Sequence, residues 1–455
     1  MRYTELPLPP ETVSAEIQGG DAQRFLDGAD VPGQWWTLFG SEALNQLVLM
    51  ALAGNPDLDA AQASLRQARE NYLATRGGTL PQVDGSAEIS RQRSATTGQS
   101  FDLFTASVQV SYFVDAFGQL RRTLEASAAE EENTRFELEA TYLSLISNVV
   151  VTAIRQASLR AQIQGQEDII AAQAQQLDLL NQQFELGAVA RGDVLAQQSQ
   201  LAQTQASLPP LQRELEQTRN QLALLLGRVP SEGQIPTIEL TDLTLPTELP
   251  VSLPAQLVEQ RPDVRASEAT MHQASALIGV ADANLLPQIT LTGNLTASGN
   301  IFSDFFTLAN GAGYGIGAGL TQPIFRGGTL RAEQRAAVAQ FDRATALYRS
   351  TVLNAFTNVA NVLAALQRDA EALQVQLYAE QTAGQSLEIT MERFQAGAIA
   401  FLALLDAQRV FQQAQILRVI AQANRYEDTV ALFTALGGGW WNRQDVPEEY
   451  ATTPP

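Results

Sequence analysis

One residue pattern runs through this chain twice. Phe184, Gly187, Ala188 and Leu195 recur 210 positions later as Phe394, Gly397, Ala398 and Leu405. The same displacement carries Gly118, Leu120 and Arg121 onto Gly328, Leu330 and Arg331. Upstream the displacement is 206: Asn55-Pro56-Asp57 answers Arg261-Pro262-Asp263, and Leu80-Pro81-Gln82 answers Leu286-Pro287-Gln288. A repeat this long means a doubled architecture. It divides the chain into an irregular segment at 1–40, a first repeat at 41–227, a proline-rich connector at 228–254, a second repeat at 255–441 and a tail at 442–455.

Within each copy the periodicity changes in the same order. The first copy opens on a helix from Pro56 to about Arg76, with proline near its start and Gly77-Gly78 as its stop. Strict alternation follows. Val83, Gly85, Ala87 and Ile89 share one face, and Asp84, Ser86, Glu88 and Ser90 the other. After a polar turn, Phe104, Ala106, Val108, Val110 and Tyr112 alternate with Thr105, Ser107, Gln109 and Ser111. That is a long β-hairpin. The second copy repeats it with Ile289 to Ala297 and Tyr314 to Leu320, around a longer tip at Gly299 to Gly313. The glycines from 311 to 319 lead into a strand and lack the spacing of a phosphate loop.

Very long helices come next. Leu120 to Phe184 and Leu330 to Phe394 contain no proline and one glycine each, Gly165 and Gly384. Each would be about 96 Å long at about 1.5 Å per residue. Turns at Gly187 and Gly397 send the chain back toward Gly227 and Gly437. A short helix and a returning helix, stacked end to end, would nearly match the long one. Pro209-Pro210 predicts a break in the first returning helix, and Val419-Ile420 predicts none in the second. Alanine and glutamine, as in Ala171 to Gln176, dominate the helices. Thin apolar stripes suit a helical wall wetted on one side.

Composition removes most chemistries. The net charge of −20 is wrong for binding phosphate backbones, which argues against nucleic acid. All 29 basic residues are arginine. With no cysteine and one histidine, His272, thiolate sites, most metal sites and histidine triads have no material. The expectation is no enzyme and no cofactor; His272 reads as an ordinary helix position. No run of about 18 apolar residues predicts a transmembrane helix. The first ten residues carry no apolar signal core, so the chain is either cytoplasmic or has lost a signal peptide.

The hairpins offer another route into a membrane. Strands of about 12 residues, apolar on one face and small and polar on the other, suit a barrel with lipid outside and water inside. Phe101, Phe104, Tyr112 and Phe113 in one hairpin, and Phe302, Phe305, Phe306 and Tyr314 in the other, are the candidate aromatic girdle. One chain supplies only four strands, and open edges cannot face lipid. Two chains would give eight strands, a filled barrel; three would give twelve, wide enough for a pore.

Several local motifs then fall in order. They are Trp35-Trp36 with Phe39, Gln260-Arg261-Pro262-Asp263-Val264-Arg265, Leu286-Pro287-Gln288, Leu404-Leu405-Asp406-Ala407-Gln408-Arg409, and Ala435-Leu436-Gly437-Gly438-Gly439-Trp440. Over roughly residues 30–441 the chain resembles the TolC family of outer-membrane efflux factors, above all the branch serving resistance-nodulation-division pumps. The resemblance implies a mainly α, internally duplicated chain. A homotrimer would form a 12-stranded membrane β-barrel in the outer membrane of a Gram-negative bacterium and a long α-helical barrel crossing the periplasm. It also implies a periplasmic adaptor, or membrane fusion protein, and an inner-membrane pump. The role is a passive exit duct for drugs or other small molecules, opened at its periplasmic end and linked to antibiotic resistance.

By the same resemblance Leu402 would form an apolar constriction, with Asp406 and Arg409 beside it in a gate latched by interchain arginine pairs. The first copy has Gly192, Ala196 and Ser199 there. The turns holding Gly187, Val189, Ala190 and Arg191, and Gly397, Ala398 and Ile399, would meet the adaptor's hairpin tip. Asp193 would cap the returning helix. Members of the branch often carry an acylated N-terminal cysteine; this chain has none, which leaves a lipid anchor open. Two alternatives stand beside this reading: the exit duct of a type I protein-secretion system, and a soluble coiled-coil scaffold.

Overall fold

The two copies match element for element in a computed structural model describing residues 9–93, 95–96, 98–231, 235–251, 254–299 and 312–443. After β1 (Arg24–Asp27) and a 3₁₀ turn at Trp35–Phe39 come α1 (Glu42–Gly54), α2 (Pro56–Gly77), β2 (Gln82–Arg93) and β3 (Ser100–Val114). Next are α3 (Gln119–Glu185) and α4 (Arg191–Leu225). The second half holds β4 (Glu248–Val251), α5 (Pro254–Gln260), α6 (Pro262–Ala283), β5 (Gln288–Gly299), β6 (Ala312–Thr321), α7 (Thr329–Gln395) and α8 (Phe401–Ala435). α2 and α6 have 22 residues each, α3 and α7 have 67, and α4 and α8 have 35. The chain forms two compact units: Met1–Ala61 with Glu137–Val264 and Val352–Pro455, and Gln62–Phe136 with Arg265–Thr351.

The second of these units holds one antiparallel sheet of order β2-β3-β5-β6. Its register aligns the two apolar faces. Val83 opposes Val110, Val108 opposes Leu295, Tyr112 opposes Leu291, and Leu295 opposes Tyr314. Ser86 and Ser107 are hydrogen-bonded at 2.7 Å on the polar face. On that face a Cβ at Gly315 would lie 2.6 Å from Asn294 Oδ1. The glycine run therefore makes room for cross-strand polar side chains. Val83, Ile89, Ile316 and Leu320 are exposed in the single chain, as a lipid-facing band would be.

The register corrects part of the girdle. Phe101 pairs with Gln92 and Phe113 with Thr290, so both share the parity of the polar face. Alternation by two puts them opposite Phe104 and Tyr112. Phe302, Phe305 and Phe306 lie outside the described residues.

In the other unit the core follows the middle of α3. Val149, Val150, Ala153, Ile154 and Ala157 are fully buried at helical spacing. The most apolar 18-residue stretch of α3 is 67% buried, as in a core helix. Trp35, Trp36 and Phe39 are buried, and Trp35 stacks on Phe433 at 5.3 Å. The aromatic cluster thus packs against α8.

Two sequence expectations fail here. The segment before residue 40 and the connector each contribute a strand, and β1 pairs in parallel with β4 from Arg24–Glu248 to Asp27–Val251. Four residues are too few to show periodicity. α4 also runs through Pro209 and Pro210 without a break. Just before them, the Thr204 carbonyl accepts from Gln166 Nε2 at 3.0 Å and Ser207 Oγ at 2.7 Å. The amides that the prolines lack would have bonded the carbonyls of Gln205 and Ala206, so these side-chain bonds hold the turn before the prolines rather than replace theirs.

The short helices are tied to the returning ones by different residues doing the same work. Asn55 Oδ1 accepts from the amides of Asp57 (2.9 Å) and Leu58 (3.1 Å), and its Nδ2 donates to Leu225 O at 2.9 Å. In the second copy Arg261 donates to both Asp263 carboxylate oxygens (2.9 and 2.6 Å) and to Ala435 O at 3.0 Å.

Candidate gate and docking tips

Both long helices end in the same way. Gly187 and Gly397 have φ of +75° and +70°, the left-handed conformation glycine adopts without strain. In each turn two amides bond backward: Ala188 to Gln183 O and Gly187 to Phe184 O, then Ala398 to Arg393 O and Gly397 to Phe394 O. This double bond pattern closes the last helical turn. Asp193 Oδ2 then accepts from the Ala190 amide at 3.2 Å, so Asp193 does cap α4. α8 has no equivalent side-chain cap.

Beneath the turns lies a small core. Leu180, Phe401, Leu404 and Leu405 are buried, with Val189, Val194, Leu387, Met391 and Phe394 packed around them. Phe394 and Phe401 are 5.3 Å apart. A hollow of about 440 Å³ opens between the two turns, lined by Gln183, Val189, Asp193, Phe394, Ile399 and Phe401 among others. Val189 and Ile399 are half-buried; Gly187, Ala190, Arg191, Gly397 and Ala398 are exposed.

The first two turns of α8 split cleanly by face. Phe401, Leu404 and Leu405 point into the core, while Leu402 is 74% exposed. Positions 402, 406 and 409 share the outer face. There Arg409 Nη2 donates to Asp406 Oδ1 at 2.5 Å, with both side chains largely exposed. The arginine is thus paired within its own chain, so a latch to a neighbouring chain requires sharing or exchange of partners.

Sequence reading missed a polar cluster further along α8. Arg425 is 1% exposed and donates to Gly19 O (3.0 Å), Asp21 O (2.9 Å) and Gln23 Oε1 (3.2 Å). Burial lowers its pKa, opposed by Asp21, Tyr426 and Asp369. Tyr426 donates to Leu243 O at 3.1 Å, and burial pushes its phenol up to about 12. The signal was available: at the 210 displacement Arg425 answers Leu215. His272 faces Glu125 at 3.0 Å and is half-exposed.

A family profile described as "Outer membrane efflux protein" matches residues 47–228 and 253–438, most of both copies. The chain belongs to the outer membrane efflux protein family. It is 31% identical over 450 residues to the pyoverdine export outer membrane protein OpmQ of Pseudomonas putida, covering 95% of this chain and 94% of that one. It is 31% identical over 421 residues to the cation efflux system protein CusC of Escherichia coli, covering 89% and 88%. The solved outer-membrane channel OprN superposes with a TM-score of 0.85 at 30% identity, over 96% of this chain and 99% of that one.

The family fold accounts for the open sheet. Three chains bring four strands each to a twelve-stranded β-barrel, and their long helices form an α-helical barrel. The protein is an exit duct for efflux in the outer membrane, extending into the periplasm. Members of the family are channels and transporters rather than enzymes.

Proposed function

We propose that the start of α8 is the gate of this duct and that the two helix turns are its docking surface. Leu402 carries the reading: a large apolar side chain, 74% exposed, on the face opposite a well-formed apolar core. In a trimer three such side chains would meet about the axis and exclude water. The Asp406–Arg409 pairs would hold the ring, each chain's arginine shared with its neighbour's carboxylate. Exposed pairs contribute about 0.5 kcal/mol each. Three together would bias closure by roughly tenfold, about 1.4 kcal/mol.

The hollow between Val189 and Ile399 fits the tip of a helical hairpin from a periplasmic adaptor. Small residues at Gly187, Ala190, Gly397 and Ala398 allow close approach, and Arg191 stands at the rim. Through that adaptor an inner-membrane pump would pass small-molecule cargo, with no catalysis by this chain. Phe104, Tyr112 and Tyr314 form the aromatic girdle on the apolar face of the sheet. Single-channel recording of the reconstituted trimer tests the gate. Asp406→Ala combined with Arg409→Ala should raise the open fraction about tenfold; an unchanged current record rejects the assignment.

A further inference from the structure

The seam between α7 and α8 is charged at two levels where the equivalent positions between α3 and α4 are uncharged. Glu380 and Arg418 pair at 2.9 Å, both largely buried. Further from the turn, in the antiparallel register that this pair sets, Asp369 of α7 faces Asp428 of α8 within hydrogen-bonding reach. Displaced by 210, these four positions are Ile170, Leu208, Leu159 and Thr218. Leu159 and Thr218 are both buried, and the threonine hydroxyl donates to Glu214 O at 2.8 Å. One copy therefore has a quiet contact where the other has two acids.

Two carboxylates accept hydrogen bonds and donate none, so this contact needs a proton on one of them. Burial, first, and then Asp369 and Glu427 push the Asp428 carboxyl up to about 7. Its Oδ2 is buried with no hydrogen-bond partner. The surroundings offer little relief. Glu427 on α8 is itself raised by burial, with Arg155 of α3 opposing. Arg155 pairs with Glu214 at 2.6 Å. Arg368 turns to Glu371 at 2.7 Å. Arg425, a turn back on α8, feels both Asp369 and Asp21, but its guanidinium is spent on the N-terminal segment. That segment is stitched to the same place by Gln422 Nε2 on Gln18 O (2.8 Å), Gln374 Nε2 on Ser14 O (3.2 Å) and Gln23 Nε2 on Thr429 Oγ1 (3.0 Å).

We propose that Asp369 and Asp428 share one proton, and that this proton operates a joint between α7, α8 and the N-terminal segment Thr12–Gln23. With the proton bound the helices are bridged. When it passes to water, two adjacent negative charges remain, α8 is pushed from α7, and Asp369 competes for Arg425. The folded-state pKa lies above the usual aspartate value of about 3.9. The joint is therefore fully tight below about pH 4, loosens as pH rises to about 7, and changes no further above it. It works independently of the gate, at a different level of the same hairpin.

Hydrogen–deuterium exchange of the whole protein in detergent, from pH 5 to 8 and corrected for intrinsic amide rates, tests this. Amides of Thr12–Gln23 and of α8 around Asp428 should lose about tenfold protection per pH unit between about 5 and 7. Asp428→Asn, which keeps the shape and the bridge, should hold the slow low-pH exchange throughout. Asp369→Asn should behave alike and carries the test if the first variant does not fold. His272→Gln removes the one histidine of the chain and should leave the profile unchanged. A flat wild-type profile, a slope surviving both asparagine variants, or a slope abolished by His272→Gln would overturn the proposal.

Discussion

The α3–α4 and α7–α8 hairpins share their helix lengths and their turns, yet they present different side chains at every place where something could move. At the tip the first returning helix opens with exposed Arg191 and the second with buried Phe401. Where the first hairpin has Gly192, Ala196 and Ser199, the second has Leu402, Asp406 and Arg409. Along the seam, leucine, isoleucine and threonine stand against aspartate, glutamate and arginine. Backbone geometry has been held constant, with helices of 67 and 35 residues in both hairpins and a glycine stop at each turn. The faces diverged, and on the reading proposed above the second hairpin alone carries the latch.

Substitutions at paired positions can break that contrast. The largest difference is expected at Arg425. Arg425→Met leaves two carbonyls and an amide oxygen of the N-terminal segment without donors, at a cost of about 3–5 kcal/mol. Leu215→Met, its counterpart, should cost less than about 1.5 kcal/mol. Thermal unfolding of the assembly and protease cleavage before residue 24 would read both. Next comes Phe401→Ala, about 3 kcal/mol by loss of the tip core, against Arg191→Ala within about 0.5 kcal/mol. The smallest effects should be equal rather than different. Asn55→Ala removes a helix cap and a tie to the returning helix, and Arg261→Ala a carboxylate pair and the matching tie, about 1–2 kcal/mol apiece in the same unfolding experiment. Unequal losses there would mean that the two ties are not equivalent.

Much of this was legible before any coordinates. The displacement of 210 located both turns, and alternation by two gave four strands with one apolar face. What escaped had short or indirect signals. β1 and β4 are four residues each, below the length at which a period shows. Pro209-Pro210 reads as a stop by local rules, but the tertiary setting overrides local preference and α4 runs through both. Phe101 and Phe113 were grouped by type, and only register separates them from Phe104 and Tyr112. For the gate, spacing put Leu402, Asp406 and Arg409 on one face, but not the internal pairing of the last two. The charged seam was visible only as a mismatch between copies, since a single α8 gives no reason to suspect that Arg425 is buried.

Because the chain contains no cysteine, one introduced thiol reports on one position. Leu402→Cys in the assembled protein, treated with a short bis-maleimide, should join two chains into a covalent dimer on a denaturing gel. Gly192→Cys under the same treatment should stay monomeric. That result would place the second hairpin, and not the first, where copies converge on the axis of the duct. Monomer alone from Leu402→Cys, or equal cross-linking from Gly192→Cys, would contradict it.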